Sequence, residues 1–337
     1  MFDAHYTPAD KEFWSGRIDD HNDPDAFRWH QVIKLIHLNN IRNLILDEDT
    51  LHICFLGFCC DEGVRRNMGR PGAKNGPESI RKEMANWPVN FLPQAKIYDA
   101  GNINCLGHDL ESAQAALAIA VEKIKTAGFF PILLGGGHEI ALGHFKGLVN
   151  HLDKTEKAPK APAIINFDAH LDLRPYNQGG SSGTMFHQIY DQCKAESRDY
   201  AYYCLGPQTY ANTKSLFKRA DAMGARYMPA KDITPARYPN ILTELYNYIS
   251  DHQEVYITLC TDVLSAAHAP GVSALQPFGL DPEVVLTLIK QIILTRKVCS
   301  IDIAEVSPRF DSDNRTAKLV AVFIYAIINT LIEAQEH

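Results

Sequence analysis

Four short stretches of this chain carry residues able to do chemistry. Asp168-Ala169-His170-Leu171-Asp172 offers two carboxylates and an imidazole at alternate positions. Alternate residues of an extended segment project to one side, so all three can converge on one point. Carboxylate oxygen and imidazole nitrogen are good ligands for first-row divalent metals. The competing reading, a solvated polar loop, fits badly with the apolar residues between them. Gly135-Gly136-Gly137-His138 presents a second imidazole after three glycines, which let the backbone turn tightly and approach a neighbour closely. Taken alone, that run is equally a glycine-rich turn with a helix-capping histidine. Cys260-Thr261-Asp262 and Ala304-Glu305 add a thiol and two more carboxylates.

The elements that must position these groups are legible as apolar, β-rich segments. Eight can be counted, over residues 53–58, 95–98, 129–134, 163–167, 200–205, 225–228, 254–260 and 297–303. Several are continuous rather than alternating, as expected of strands buried on both faces. Helical patterns lie between them. Asp109 is placed to cap a helix whose Leu110, Ala113, Leu117, Val121 and Ile124 share one face, and Gly128 stands at its stop. A second helix, over residues 281–294, leads into the last strand in the same way. This alternation predicts a mostly parallel sheet with helices on both faces. Residues 1–50 do not follow it and read as a helical N-terminal extension to a catalytic domain over 51–337. The Lys/Ala/Pro stretch over 154–162 reads as a surface loop.

In open parallel sheets, ligands bind outside the carboxyl ends of the strands. Four separate strands deliver His138, then Asp168, His170 and Asp172, then Asp262, then Glu305 to that edge. An oxygen- and nitrogen-rich cluster without a thiolate majority suits Mn2+ ahead of Zn2+, Fe2+ or Co2+. Two such ions sharing a carboxylate would acidify a bridging water and stabilise charge in a transition state.

Composition excludes other classes. The 337 residues are 46% hydrophobic with net charge −7, and no basic stripe offers a footprint for nucleic acid. No unbroken apolar run reaches a membrane span of about 20 residues, and the first residues lack a signal peptide's charged and apolar regions. Eight cysteines without a CxxC pair suit free thiols in a reducing cytoplasm. A homo-oligomer is compatible with all of this.

Gly-Gly-Gly-His138, Asp168-Ala-His170-Leu-Asp172 and the Asp262 segment resemble, in order and spacing, the three metal-binding motifs of the ureohydrolases: arginase, agmatinase and formimidoylglutamase. The resemblance spans roughly residues 50–335. It implies a three-layer α/β/α sandwich with an eight-stranded mostly parallel sheet, and a dinuclear Mn2+ centre. Further stretches are most similar to the formimidoylglutamase branch. They include Gly63-Val64-Arg65-Arg66-Asn67-Met68-Gly69-Arg70-Pro71-Gly72-Ala73, Leu173-Arg174, Ser181-Ser182-Gly183-Thr184 and Ala269-Pro270-Gly271-Val272-Ser273-Ala274. The reaction this implies is hydrolysis of N-formimidoyl-L-glutamate to L-glutamate and formamide, a step of histidine degradation, by a metal-activated water. Glu305 would pair with the planar amidinium. Arg65, Arg66, Arg70 and Arg174, with Asn67, Ser182 and Thr184, are the candidates for binding substrate. Each arginine could equally form a structural ion pair. His187 is a candidate proton shuttle by residue type, or else a carboxylate contact or a plain surface residue.

One position departs from the family pattern. Its third motif reads Asp-x-Asp, whereas this chain has Cys260-Thr261-Asp262. A thiolate at Cys260 could bridge two metals with the same charge and a softer preference. It could also be an ordinary buried thiol beside a weakened site. That departure motivates a non-catalytic, metabolite-binding homologue as one alternative. An agmatinase or guanidino-acid hydrolase is the other, although a cationic substrate would call for carboxylates at the far end of the pocket rather than arginines.

Overall fold

The computed structural model describes residues 2–156 and 160–336. Among them, ten strands form one sheet. In chain order these are β1 (Tyr6–Thr7), β2 (Lys34–Leu35), β3 (Leu51–Cys59), β4 (Ala95–Asn104), β5 (Phe130–Leu134), β6 (Ala163–Phe167), β7 (Tyr202–Leu205), β8 (Arg226–Met228), β9 (Val255–Cys260) and β10 (Val298–Ala304). They lie side by side as β1-β4-β3-β5-β10-β9-β6-β7-β8, with β2 also beside β4. Only the β1–β4 pairing is antiparallel. The eight segments expected from the sequence are β3 to β10. Their continuous apolar character has the anticipated cause: β5, β6, β9 and β10 are covered on both faces.

Among the described residues, eight helices of nine or more residues supply the covers: α1 (Gly76–Met84), α2 (Leu110–Thr126), α3 (Ile140–Thr155), α4 (Met185–Ala195), α5 (Lys214–Ala222), α6 (Tyr238–Ser250), α7 (Pro282–Ile293) and α8 (Arg315–Glu336). α1, α6, α7 and α8 pack on one face of the sheet. The other face carries α2 to α5. The result is three layers, α/β/α. The helix starts follow the sequence signals: the Asp109 side chain accepts from Ser112 N at 3.0 Å and that of Asp281 from Glu283 N at 2.8 Å. Gly128 takes φ +87 just past the end of α2, as a helix stop requires.

Three features differ from expectation. Residues 2–50 are mostly irregular rather than helical. They hold two four-residue helices, three short 3-10 turns and two two-residue strands, cut short by Pro8, Pro24 and clusters of Asp and Asn. This segment is nonetheless anchored: Trp14 and Trp29 are buried against Phe55, and Trp14 donates from Nε1 to Asp99 Oδ2 at 2.7 Å. Next, α8 is long and apolar enough to cross a membrane by length and composition, although a few polar residues interrupt its apolar run. Val320, Ile324, Ile327 and Leu331 of that helix are buried in the core. Finally, the expected loop over 154–162 is in part the last turn of α3, and residues 157–159 lie outside the described residues.

Candidate functional site

The carboxyl ends of β5, β10, β9 and β6 are neighbours in the sheet and level in register. Leu134 pairs with Ile303, Ala304 with Cys260, and Leu259 with Phe167. Whatever follows these four strands therefore emerges within a few strand spacings of about 4.8 Å. After β5, the glycine run passes under its neighbours. A Cβ on Gly136 would sit 1.8 Å from Cys60 O, so no larger residue fits. His138 follows and is buried.

His138, Asp168 and Cys260 each offer a ligand atom within 4.8 Å of the others, and so do Asp168, His170 and Asp262. The two triads share Asp168. His138 Nδ1 lies 2.9 Å from Asp168 Oδ2 and 3.2 Å from Asp172 Oδ2. His170 Nδ1 lies 3.1 Å from Asp262 Oδ2. The convergence is not produced by the simple strand alternation expected. Beyond β6 the chain bends: Asp168 Oδ1 accepts from His170 N at 2.8 Å, and Asp172 takes φ +48. Asp262 sits in a 3-10 turn rather than a strand. The buried Ala169 and Leu171 hold the polar residues between them toward the site.

Charge makes this cluster unlike a packed core. Burial opposes ionisation of Asp168, yet the two imidazoles hold its carboxyl well below the ordinary range. Burial and the Asp168 charge push Asp172 up to about 6. The Cys260 thiol is pushed far up by burial and by Asp168, Asp262 and Glu305. Burial likewise pushes Glu305 well up, with Glu139 and Asp262 adding to it. Asp262 Oδ1 and Glu305 Oε2 are buried without a hydrogen-bond partner, which is costly for carboxylate oxygens. A divalent cation between these groups would answer the repulsion and the missing partners together, and the donor set suits one.

A cavity of about 320 Å³ opens onto the cluster, lined by His138, His170, Asp172, Cys260, Asp262 and Glu305 on its floor. Glu305 holds a left-handed φ of +68, a conformation that costs a non-glycine residue on the order of 1 kcal/mol. Its Oε1 accepts from His138 N at 3.1 Å. Asn67, Arg70, Arg174, Ser182, Ser273 and Ala274 stand on the walls. Gly183 leaves the gap between two of them, since its Cβ would lie 2.9 Å from both Arg174 Cδ and Asn67 Oδ1.

Four expected substrate or catalytic residues stand outside this cavity. Arg65 pairs with Glu62 at 2.5 Å and faces a separate cavity. Arg66 pairs with Glu62 at 3.0 Å and Glu111 at 2.5 Å. The buried Glu62 carboxylate thus takes both arginines, fixing the short helix Glu62–Arg66 against α2. Thr184 is buried and closes the turn before α4, with Oγ1 donating to Ser181 O at 3.0 Å. The His187 ring engages Arg174 O at 3.0 Å through Nδ1 and packs on Tyr176, so it braces the Arg174 backbone instead of reaching the cluster. Arg70 keeps its place on the wall, but its Nε and Nη2 donate to Ser273 O and Val272 O and its guanidinium stacks on Phe310 at 4.1 Å. Arg174 carries no ion pair among the described residues. Sequence reasoning missed Thr258 and passed over Asp302. Both lie inside core strands beneath His138, where only their polarity in an apolar run marks them.

Comparison with known proteins gives a matching family model and relatives over nearly the whole chain. The Arginase family model matches residues 51–329. The chain is 50% identical over 332 residues to a formimidoylglutamase of Clostridium tetani, covering 98% of each. It is 41% identical to that of Lysinibacillus sphaericus, covering 98% of this chain and 99% of the relative. Among solved structures, Bacillus subtilis formimidoylglutamase superposes with a TM-score of 0.78 at 21% identity, covering 95% and 97% of the two chains. A Trypanosoma cruzi formiminoglutamase solved with Mn2+ gives 0.72 at 22% identity, covering 88% of this chain and 98% of that one. With its fold, its strand-end cluster and a full-length relative at half identity in agreement, the chain belongs to the arginase family.

Proposed function

We propose that this protein hydrolyses N-formimidoyl-L-glutamate to L-glutamate and formamide at a divalent-metal centre. The observation that carries the reading is the pair of ligand triads sharing Asp168, set under a cavity whose walls bear Arg70 and Arg174. Relatives named formimidoylglutamase over nearly the full chain support the substrate. One metal position would be held by His138, Asp168 and Asp172, and the other by Asp168, His170 and Asp262, with the Cys260 sulfur facing the first. Mn2+ is the metal proposed, given an oxygen- and nitrogen-rich donor set and a neighbour crystallised with that ion. When bound, a metal pair supplies an acidified water and stabilises developing negative charge.

This chain's own residues then divide the work. Glu305 presents its unpartnered Oε2 to the cationic N–C–N group of the amidine, in a charge-assisted pair. Its Oε1 stays on His138 N, so the carboxylate cannot swing away. Arg174 meets a substrate carboxylate with its free guanidinium. Arg70 holds the 272–273 loop, whose Ser273 lines the same cavity. An agmatine-type substrate would instead bring a cation to these arginines and be repelled. The eight free cysteines fit a reducing cytoplasm.

The test strips the protein with a chelator and follows formamide release as Mn2+ is restored. Activity that vanishes on stripping and returns with Mn2+ supports the proposal, and full activity without metal overturns it. Arg174→Met should raise KM for formimidoylglutamate at least ~10-fold with a smaller change in kcat. An unchanged KM would remove Arg174 from the substrate site.

A further inference from the structure

A line of polar side chains runs from His138 into the middle of the sheet. His138 Nε2 lies 3.0 Å from Thr258 Oγ1, and Thr258 Oγ1 donates to Asp302 Oδ1 at 2.6 Å. Asp302 Oδ2 lies 2.6 Å from His144 Nδ1 and also receives the Tyr256 hydroxyl. His144 Nε2 continues to Ser300 Oγ at 2.6 Å. Every one of these side chains is fully buried. Thr258 is on β9, Asp302, on the next strand, β10, is its registered partner, and His144 is on α3 above them.

Hydrogen-bond direction decides what this line does. A carboxylate can only accept, and three neighbours converge on Asp302. The single Thr258 proton therefore goes to Asp302, and the Thr258 oxygen is left as an acceptor toward His138. His138 Nε2 must then carry a proton, so that in the neutral ring a metal ligand requires, the lone pair is on Nδ1, the side of Asp168 and Asp172. We infer that Asp302, acting through Thr258, is the positioning residue that fixes the His138 tautomer and aims Nδ1 at the metal. A ligand histidine is oriented in this way by the partner of its other ring nitrogen. Here the partner is a neutral hydroxyl charged from behind by a carboxylate, rather than the carboxylate itself. The inference rests on the metal-centre reading above.

The experiment titrates Mn2+ into the metal-free protein by calorimetry, for wild type, Thr258→Ser, Thr258→Val and Asp302→Asn. Thr258→Ser keeps the hydroxyl and should bind within ~3-fold of wild type. Thr258→Val keeps the shape and loses the acceptor, and should weaken Mn2+ binding by ~10–100-fold. Asp302→Asn should weaken it in the same direction. In the Zn2+-loaded protein, nitrogen-15 NMR should show a slowly exchanging proton on His138 Nε2 in wild type and Thr258→Ser, and fast exchange in Thr258→Val. A merely structural threonine would move neither the affinity nor that proton. If wild type binds Mn2+ and both Thr258→Val and Asp302→Asn bind it equally well, the inference is overturned and the metal reading stands. Failure of wild type itself to bind Mn2+ overturns both. Should Thr258→Val not fold, Asp302→Asn decides.

Discussion

Glu305→Gln separates substrate recognition from folding. The side chain has two different oxygens: Oε1 accepts from His138 N at 3.1 Å, and Oε2 is buried with no partner. Glutamine can keep the first contact through its own oxygen, so the turn after β10 should survive. At the second position it places an amide N–H where the amidine's N–H would arrive, so an attraction becomes a repulsion. Losing a charge-assisted pair in so dry a place costs about 2–4 kcal/mol, which is ~30–1000-fold in kcat/KM. The assay is formamide release with Mn2+-loaded enzyme, accompanied by thermal melts of the metal-free protein. Because burial already pushes the Glu305 carboxyl toward its neutral form when no cation is near, the metal-free melting temperature should not fall. A drop of less than ~3-fold in kcat/KM would refute the role given to Glu305. A large loss of activity together with a large loss of stability would show that the carboxylate is a folding element instead.

Other expectations are independent of that one. Cys260→Asp should keep two metal ions and sharpen the preference for Mn2+ over Zn2+, while Cys260→Ala should lower the affinity of at least one ion; metal stoichiometry and turnover unchanged in Cys260→Ala would leave the thiol as packing alone. Arg81→Ala should cost about 3–5 kcal/mol of stability, read by chemical denaturation, because the fully buried Arg81 guanidinium holds both oxygens of Asp99 at 2.8 Å and Asn102 Oδ1 at 2.7 Å. Glu62 should give a pH signature: Arg65, His108 and Arg66 outweigh burial and lower its carboxyl from 4.5 to about 2. A lowered carboxylate contributes stability that is complete above pH ~4.5 and lost as pH falls through ~2. The deficit of Glu62→Gln against wild type, about 1–2 kcal/mol after solvent screening at the half-exposed Arg65, should therefore be full at neutral pH and vanish near pH 2; a deficit independent of pH would contradict it.

Much of the site was legible because strand ends announce themselves. A continuous apolar run followed at once by Asp-Ala-His-Leu-Asp has few bland explanations, and four such runs ending in ligands predict a shared edge. The pairing of Ile303 with Leu134 and of Ala304 with Cys260 is the physical form of that expectation. What sequence could not supply was partnership across distance. Arg65 and Arg66 read as substrate groups because Glu62 and Glu111 are not visibly aimed at them in a linear string. Thr258 and Asp302 sit within apolar strands, and only the register of β9 against β10 brings them under His138. Residues 2–50 have short broken patterns because they cap an edge with two-residue strands and two tryptophans, which leaves no periodicity to read.

The most direct test compares kcat/KM for formimidoylglutamate, arginine, agmatine and guanidinobutyrate with the same Mn2+-loaded preparation. The unpaired Arg174 on the wall and the acidic floor predict formimidoylglutamate ahead of every other substrate by at least ~100-fold, with formamide as the product. Urea released from arginine or agmatine at a higher kcat/KM would contradict the assigned substrate.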